Sequence, residues 1–145
     1  MILRTIFAIS LAGLHLLQAA APAVSVYKTR TCGCCAKWVD HLKANGFAPT
    51  VTDVPSTAEY RKQYGVPEQL QSCHTAVVGG YTIEGHVPAA DIHRLLKQKP
   101  KAKGLAVPGM PMGSPGMEGA RVDPYSVLLF STDGRTTVFQ KHPRE

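Results

Sequence analysis

The sequence predicts a mixed α/β fold, and three observations carry it. Two β-rich segments are separated by an amphipathic helix, a glycine-centred hairpin is followed by a further helix, and a C-x-x-C stands where the first strand gives way to the first helix. Val24 to Thr29 alternates and is rich in β-formers, so it reads as a strand. The cluster Cys32-Gly33-Cys34-Cys35 follows at once. Ala36 to Ala44 then carries Ala36, Val39 and Leu42 at helical spacing with Trp38 beside them, and Asn45-Gly46 supplies a glycine stop. Phe47 to Val54 is a second strand, weakened by Pro49. Ser56 with Glu59 three residues on has the pattern of a capping box, opening a helix that runs to about Tyr64. Two β-rich runs within Thr75 to His86 flank Gly79-Gly80, a hairpin signal. Pro88 begins a third helix with Ile92, Leu95 and Leu96 on one face. From Pro100 to Asp123 the composition shifts to Pro, Gly and Met and periodicity is lost. Tyr125 to Phe130 and Thr136 to Gln140 flank Ser-Thr-Asp-Gly as a second hairpin. A βαβ unit followed by ββα is the arrangement of the thioredoxin fold. The expected class is therefore α/β, thioredoxin-like, with a Pro/Gly/Met-rich C-terminal extension that ends in a β-hairpin.

A chain of 145 residues suits one domain rather than two. Its start reads as a secretory signal peptide: Arg4, then an apolar run from Ile6 to Leu17 broken by Ser10, Gly13 and His15, then Ala19, Ala20 and Ala21. An apolar core of about 12 residues is shorter than the ~20 a membrane span needs, which disfavours an uncleaved anchor. Cleavage after Ala20 or Ala21 both fit, the second leaving Pro22 first. The expected division is a signal peptide at 1–21, a thioredoxin-like domain at 22–100 and an extension at 101–145 that contributes to a metal site. No other stretch is long and apolar enough for a span, so the mature chain is expected in the periplasm and as a monomer. The net charge of +6 is scattered, and its one dense patch, Lys97, Lys99, Lys101 and Lys103, reads as a solvated surface rather than a nucleic-acid interface.

All four cysteines lie beyond the signal segment. In an exported protein four cysteines ordinarily mean two disulfides, which stabilise most when they close long loops. Here three crowd into four positions and the fourth, Cys73, adjoins His74, so the pattern is that of a site. A thiol at a helix N-terminus ionises readily, and the thiolate is both nucleophile and metal ligand. Cys32 and Cys35, one turn apart, are close enough for a disulfide or a bound ion. Cys34 is superfluous to a dithiol redox centre but useful where one sulfur bridges two ions.

Hairpin register places Cys73. If Gly79-Gly80 is a two-residue turn, Val78 faces Tyr81, and the same register carried down the arms sets Cys73 opposite His86, within reach of a shared ion. His74 would then point to the other face. Met110, Met112 and Met117 add thioethers, and soft sulfur donors select Cu(I) where zinc rarely accepts Met. The candidate ligands are Cys32, Cys34, Cys35, Cys73, His86, His74, Met110, Met112 and Met117. His41 and His93 read as helix-surface residues, and Trp38 as core or cover for the site.

The cysteine triplet within Thr-Cys-Gly-Cys-Cys-Ala-Lys-Trp-Val, Ser-Cys-His-Thr-Ala-Val-Val, Gly-His-Val-Pro, and the run Gly-Leu-Ala-Val-Pro-Gly-Met-Pro-Met-Gly-Ser-Pro-Gly-Met-Glu-Gly resemble the CopG-type periplasmic copper-resistance proteins. The likeness runs from about Val24 to Phe139 in four ordered motifs. It implies a thioredoxin-like domain whose extension helps to bind metal, and a cysteine-bridged, multinuclear copper site at Cys32, Cys34, Cys35 and Cys73. It also implies interconversion of Cu(I) and Cu(II). Thioredoxins place a cis-proline where this chain has His74, and losing it opens space beside the thiols. The expected function is copper binding for resistance, possible copper oxidoreductase chemistry included, with hand-over to copper efflux or chaperone proteins. The alternatives are a thiol–disulfide oxidoreductase acting on proteins and a structural zinc module.

Overall fold

A computed structural model describes residues 19–143. The expected signal peptide falls outside the described residues except for its last positions. The elements are β1 (Ala23–Lys28), α1 (Gly33–Ala44), β2 (Ala48–Asp53), α2 (Ala58–Gln63), a single 3₁₀ turn (Glu68–Leu70), β3 (His74–Val78), β4 (Tyr81–Glu84), α3 (Ala89–Gln98), β5 (Gly104–Ala106), β6 (Tyr125–Phe130) and β7 (Thr136–His142). All seven strands form one sheet in the order β2-β1-β3-β4-β5-β6-β7. The strand pairs joined through a helix, β1–β2 and β4–β5, are parallel, and the two hairpins are antiparallel, as their connections require. β1 and β3 meet antiparallel at the centre of the first half.

Local chemistry explains the boundaries. α1 begins three residues before the expected Ala36, because Cys32 acts as its N-cap and accepts the Cys35 N–H through Sγ at 3.3 Å. The helix therefore takes Cys34 and Cys35 into its first turn. Its other end is a Schellman motif: Phe47 N–H reaches Leu42 O, Gly46 N–H reaches Lys43 O, and Gly46 has φ +83°. Pro49 is tolerated because β2 is an edge strand. Ser56 lies one position outside the α2 cap, Thr57, and its Oγ accepts the Ala58 N–H at 3.2 Å.

α1 and α3 cover one face of the sheet. Val24, Val26, Ala76, Val78 and Ile83 meet Trp38, Val39, Leu42, Ile92 and Leu95 there in a continuous buried cluster. α2 lies on the opposite face, where Tyr27 stacks between Tyr60 and Tyr64 at centroid distances of 4.2 and 5.5 Å.

β5 departs from the irregular extension expected over Pro100 to Asp123. It pairs in parallel with β4 and carries the sheet onward to β6 and β7. A three-residue strand gives too short a pattern to recognise. Its first residue must be glycine, since a Cβ at Gly104 would sit 1.7 Å from Thr82 O. The terminal hairpin is tied back to α3: Arg94 donates to Phe139 O at 2.7 Å and lies over the Phe139 ring, and His142 Nε2 meets buried Asp91 at 2.7 Å. Among the described residues no helix is long and apolar enough to cross a membrane.

Candidate metal centre

Three chain segments converge where β1 enters α1. The first is the start of α1. Cys32 and Cys35 are joined as a disulfide, while Cys34 and Cys73 are free thiols. Cys34 Sγ stands 3.5 Å from Cys32 Sγ. Cys35 is fully buried, whereas Cys32 and Cys34 are half-buried.

The second segment is the lower end of the β3–β4 hairpin. Val78 faces Tyr81 and Thr75 faces Glu84, as the two-residue turn at Gly79-Gly80 dictates. Beyond the last ladder pair, Cys73 Sγ lies 2.9 Å from His86 Nε2. His74 does not point away. Its ring packs on Trp38 with centroids 4.3 Å apart, stands edge-on to His86 at 5.1 Å, and sets Nδ1 3.4 Å from Cys73 Sγ. Strict alternation fails because β3 begins at His74, so the Cys73 side chain is released from the pleat.

The third segment is the loop between β5 and β6. Pro115 O accepts from His86 Nδ1 at 2.6 Å. A carbonyl can only accept, so Nδ1 carries the proton and the Nε2 lone pair faces Cys73. Gly116, with φ +90°, lies so close that a Cβ would meet Cys34 O at 2.6 Å, Trp38 N at 3.0 Å and His86 Nδ1 at 3.2 Å. Met117 follows directly and is half-buried, its N–H bonded to Ser114 O at 2.8 Å. Met112 accepts the Asp123 N–H through its backbone carbonyl, and its methyl packs against Gly119. Met110 is 51% exposed.

One donor atom from each of Cys32, Cys34, Cys35 and Cys73 lies within 4.8 Å of the others, and the same holds for Cys35, Cys73, His74 and His86. The two sets share Cys35 and Cys73. Burial, with the Cys34 thiol alongside, pushes the Cys73 thiol up to about 12. Burial pulls His74 down to about 3, helped by the nearby His86 ring and Lys28, and it lowers His86 against the opposing pull of the Pro115 carbonyl. Both imidazoles are thus neutral near pH 7 and keep a lone pair.

Several positioning groups were not foreseen from the sequence. Glu84, fully buried, accepts the Ser72 N–H at 2.7 Å and the Thr75 hydroxyl at 2.6 Å, and Arg61 donates to Ser72 O at 3.3 Å. These clamps fix the segment that carries Cys73. Burial raises the Glu84 carboxyl to about 7. β4 is buried on both faces, which encloses the Glu84 carboxylate. Glu118 Oε1 accepts the Gly116 N–H at 2.8 Å, and His41 Nε2 accepts the Ala89 N–H at 3.0 Å, so His41 joins α1 to α3 rather than idling on a helix surface.

The fold and this corner together define an α/β protein with a cysteine- and histidine-lined pocket able to hold a metal ion. Comparison with solved structures gives two similar chains, "Copper resistance protein copG", Form 2 and Form 1. Each is 44% identical; they cover 85% and 83% of this chain and 99% and 97% of their own, with TM-scores of 0.80 and 0.79. A family model described as a protein of unknown function, DUF411, matches residues 70–117, the stretch holding Cys73, His86 and the methionine loop. No curated protein matches the chain. The chain belongs to the CopG copper-resistance family.

Proposed function

We propose that this chain is an exported, periplasmic copper-binding protein for copper resistance. The observation that carries the reading is the overlap of two donor sets, Cys32, Cys34, Cys35 and Cys73, and Cys35, Cys73, His74 and His86, each with its donor atoms within 4.8 Å of one another. Such donors suit Cu(I), the soft ion, better than harder cations. The sharing of Cys35 and Cys73 between two donor sets favours thiolate bridging and more than one ion. Cys32, Cys34, Cys35, Cys73, His86 and His74 are the proposed ligands, His74 by virtue of its Nδ1 standing 3.4 Å from Cys73 Sγ. Met117, Met112 and Met110 are proposed as thioether donors from the loop, with Met117 favoured by its place beside Gly116. Interconversion of Cu(I) and Cu(II), and hand-over to efflux or chaperone proteins, belong to the same reading, as does a monomeric state.

The strand and helix order supports a thioredoxin-like unit at 22–100, with 101–145 as its metal-contributing extension and 1–21 as a cleaved leader. Metal analysis of untagged protein tests the proposal. Bound copper, or Cu(I) uptake with at least micromolar affinity, is expected, and absence of both defeats it. The Cys32–Cys35 disulfide at a helix start favours one second reading, a thiol–disulfide oxidoreductase acting on proteins. That reading requires reduction of a test protein disulfide at a rate untouched by Cys34→Ser.

A further inference from the structure

The Cys32–Cys35 bond and the four-sulfur donor set use the same atoms. A sulfur held in a disulfide has no thiolate charge to offer a metal. In the disulfide state the corner therefore keeps only Cys34 and Cys73 as thiols. We infer that the Cys32–Cys35 disulfide is a two-electron gate on the copper site, opened at Cys32 by an external dithiol. The inference rests on the copper-binding reading above and adds its regulation.

Access decides which sulfur is attacked. Cys35 is fully buried, and its Sγ lies 3.8 Å from Cys73 O under the hairpin end. Cys32 is half-buried between exposed Thr31 and exposed Gly33, and a Cβ built on Gly33 meets nothing within 4 Å. An incoming thiolate thus reaches Cys32 Sγ and not Cys35 Sγ. Its attack forms a mixed disulfide at Cys32 and breaks the Cys32–Cys35 bond, the electron pair leaving on Cys35. The donor's second thiolate then attacks the donor sulfur of the mixed disulfide and expels Cys32 as a thiolate. The donor ends as a disulfide, the chain gains two electrons, and the two protons given up by the donor thiols balance the two thiols formed. The departing Cys32 sulfur keeps the Cys35 N–H, 3.3 Å away, which stabilises negative charge at the helix N-terminus.

The gate works in both directions. Once Cys32 and Cys35 hold copper, neither sulfur is free to re-form the bond, so loading protects the pair from oxidation. The donor sought is a dithiol, such as a protein that reduces exported disulfides. A monothiol such as glutathione opens the gate only with two molecules, the second attacking the glutathione sulfur of the mixed disulfide, expelling Cys32 and leaving as glutathione disulfide.

Anaerobic Cu(I) titration of the mature chain against a chromophoric chelator tests the gate, in the diamide-oxidised form and after dithiothreitol. The oxidised form is expected to bind Cu(I) more weakly by over about 100-fold, since losing two ligands exceeds the effect of losing a supporting contact. Dithiothreitol is expected to restore binding. Equal affinity and stoichiometry in the two forms would overturn the gate while leaving the copper reading intact. Failure of the reduced form to bind would defeat the copper reading and the gate with it. Glutathione with acid quenching and peptide mapping should give its adduct on Cys32, and an adduct on Cys35 overturns the proposed point of attack. Full opening by glutathione alone at the dithiothreitol rate would exclude a dithiol requirement. Copper-loaded protein should resist diamide, and oxidation at the rate of the metal-free chain would refute the protective direction.

Discussion

Cys73 Sγ and His86 Nε2 lie 2.9 Å apart across the open end of a hairpin whose turn is Gly79-Gly80. The contact follows from arithmetic along two arms, but its chemistry depends on a third segment. Pro115 O accepts a hydrogen bond from Nδ1–H, leaving Nε2 to face sulfur. Replacing His86 by Gln retains a donor for Pro115 and removes the ring nitrogen. Cu(I) affinity, read by chelator competition, is expected to fall roughly 10–100-fold, on the scale of a disrupted metal environment. An unchanged affinity would remove His86 from the ligand set.

Gly116 is where the loop meets the start of α1. Alanine there forces a Cβ to within 2.6 Å of Cys34 O at a φ of +90°. Gly116→Ala is expected to destabilise the fold by about 1–3 kcal/mol, the range for a strained backbone position, and to weaken Cu(I) binding with it. Denaturant unfolding of the metal-free variant measures the first effect and chelator competition the second.

Copper uptake should release a proton from Cys73. Its thiol titrates near 12 in the metal-free chain, so it is protonated at neutral pH and must ionise to bind. This one group should make Cu(I) affinity rise about tenfold per pH unit across the neutral range. Affinities measured at three pH values check the slope, and a flat profile would exclude Cys73 as a thiolate ligand.

His74 and Glu84 give the metal-free protein opposing pH dependences. His74 falls from 6.5 to about 3 on folding, so the unfolded chain binds more protons and stability is lost as pH drops from 6.5 toward 3. Glu84 rises from 4.5 to about 7, so the folded chain binds more protons and stability is lost as pH climbs from 4.5 toward 7. The two slopes offset one another between about 4.5 and 6.5. Glu84→Gln should leave the His74 slope alone, making stability rise with pH throughout that interval. Denaturant midpoints of both proteins across the range provide the measurement.

Much of the first half of the fold was legible because its signals are local. The Gly79-Gly80 turn sets the β3–β4 register, Asn45-Gly46 ends α1, and the cysteine spacing marks the corner. What escaped depends on distant partners. Gly104 belongs to a strand only because Thr82 offers a ladder, and Glu84 is buried because the turn before β3 folds over it. His74 broke the expected alternation for a similar reason. Its neighbour Cys73 lies just outside the strand, and a period of two has no authority there. Thioether placement was the least legible, since the Met-rich stretch carries no periodicity and its path is set by Pro115 and Gly116 docking on other elements.

The segment from Val107 to Pro124 leaves the sheet at β5 and returns to it at β6, strands hydrogen-bonded to each other. It is therefore a bridle anchored at both ends, and severing it would not cast its far portion adrift. A protease cutting near exposed Met110 would yield two fragments that remain one particle, held by the β5–β6 ladder and the grip of His142 on Asp91. Met117 would keep its place beside the cysteines after such a nick, because Pro115 and Gly116 remain docked on His86 and the start of α1.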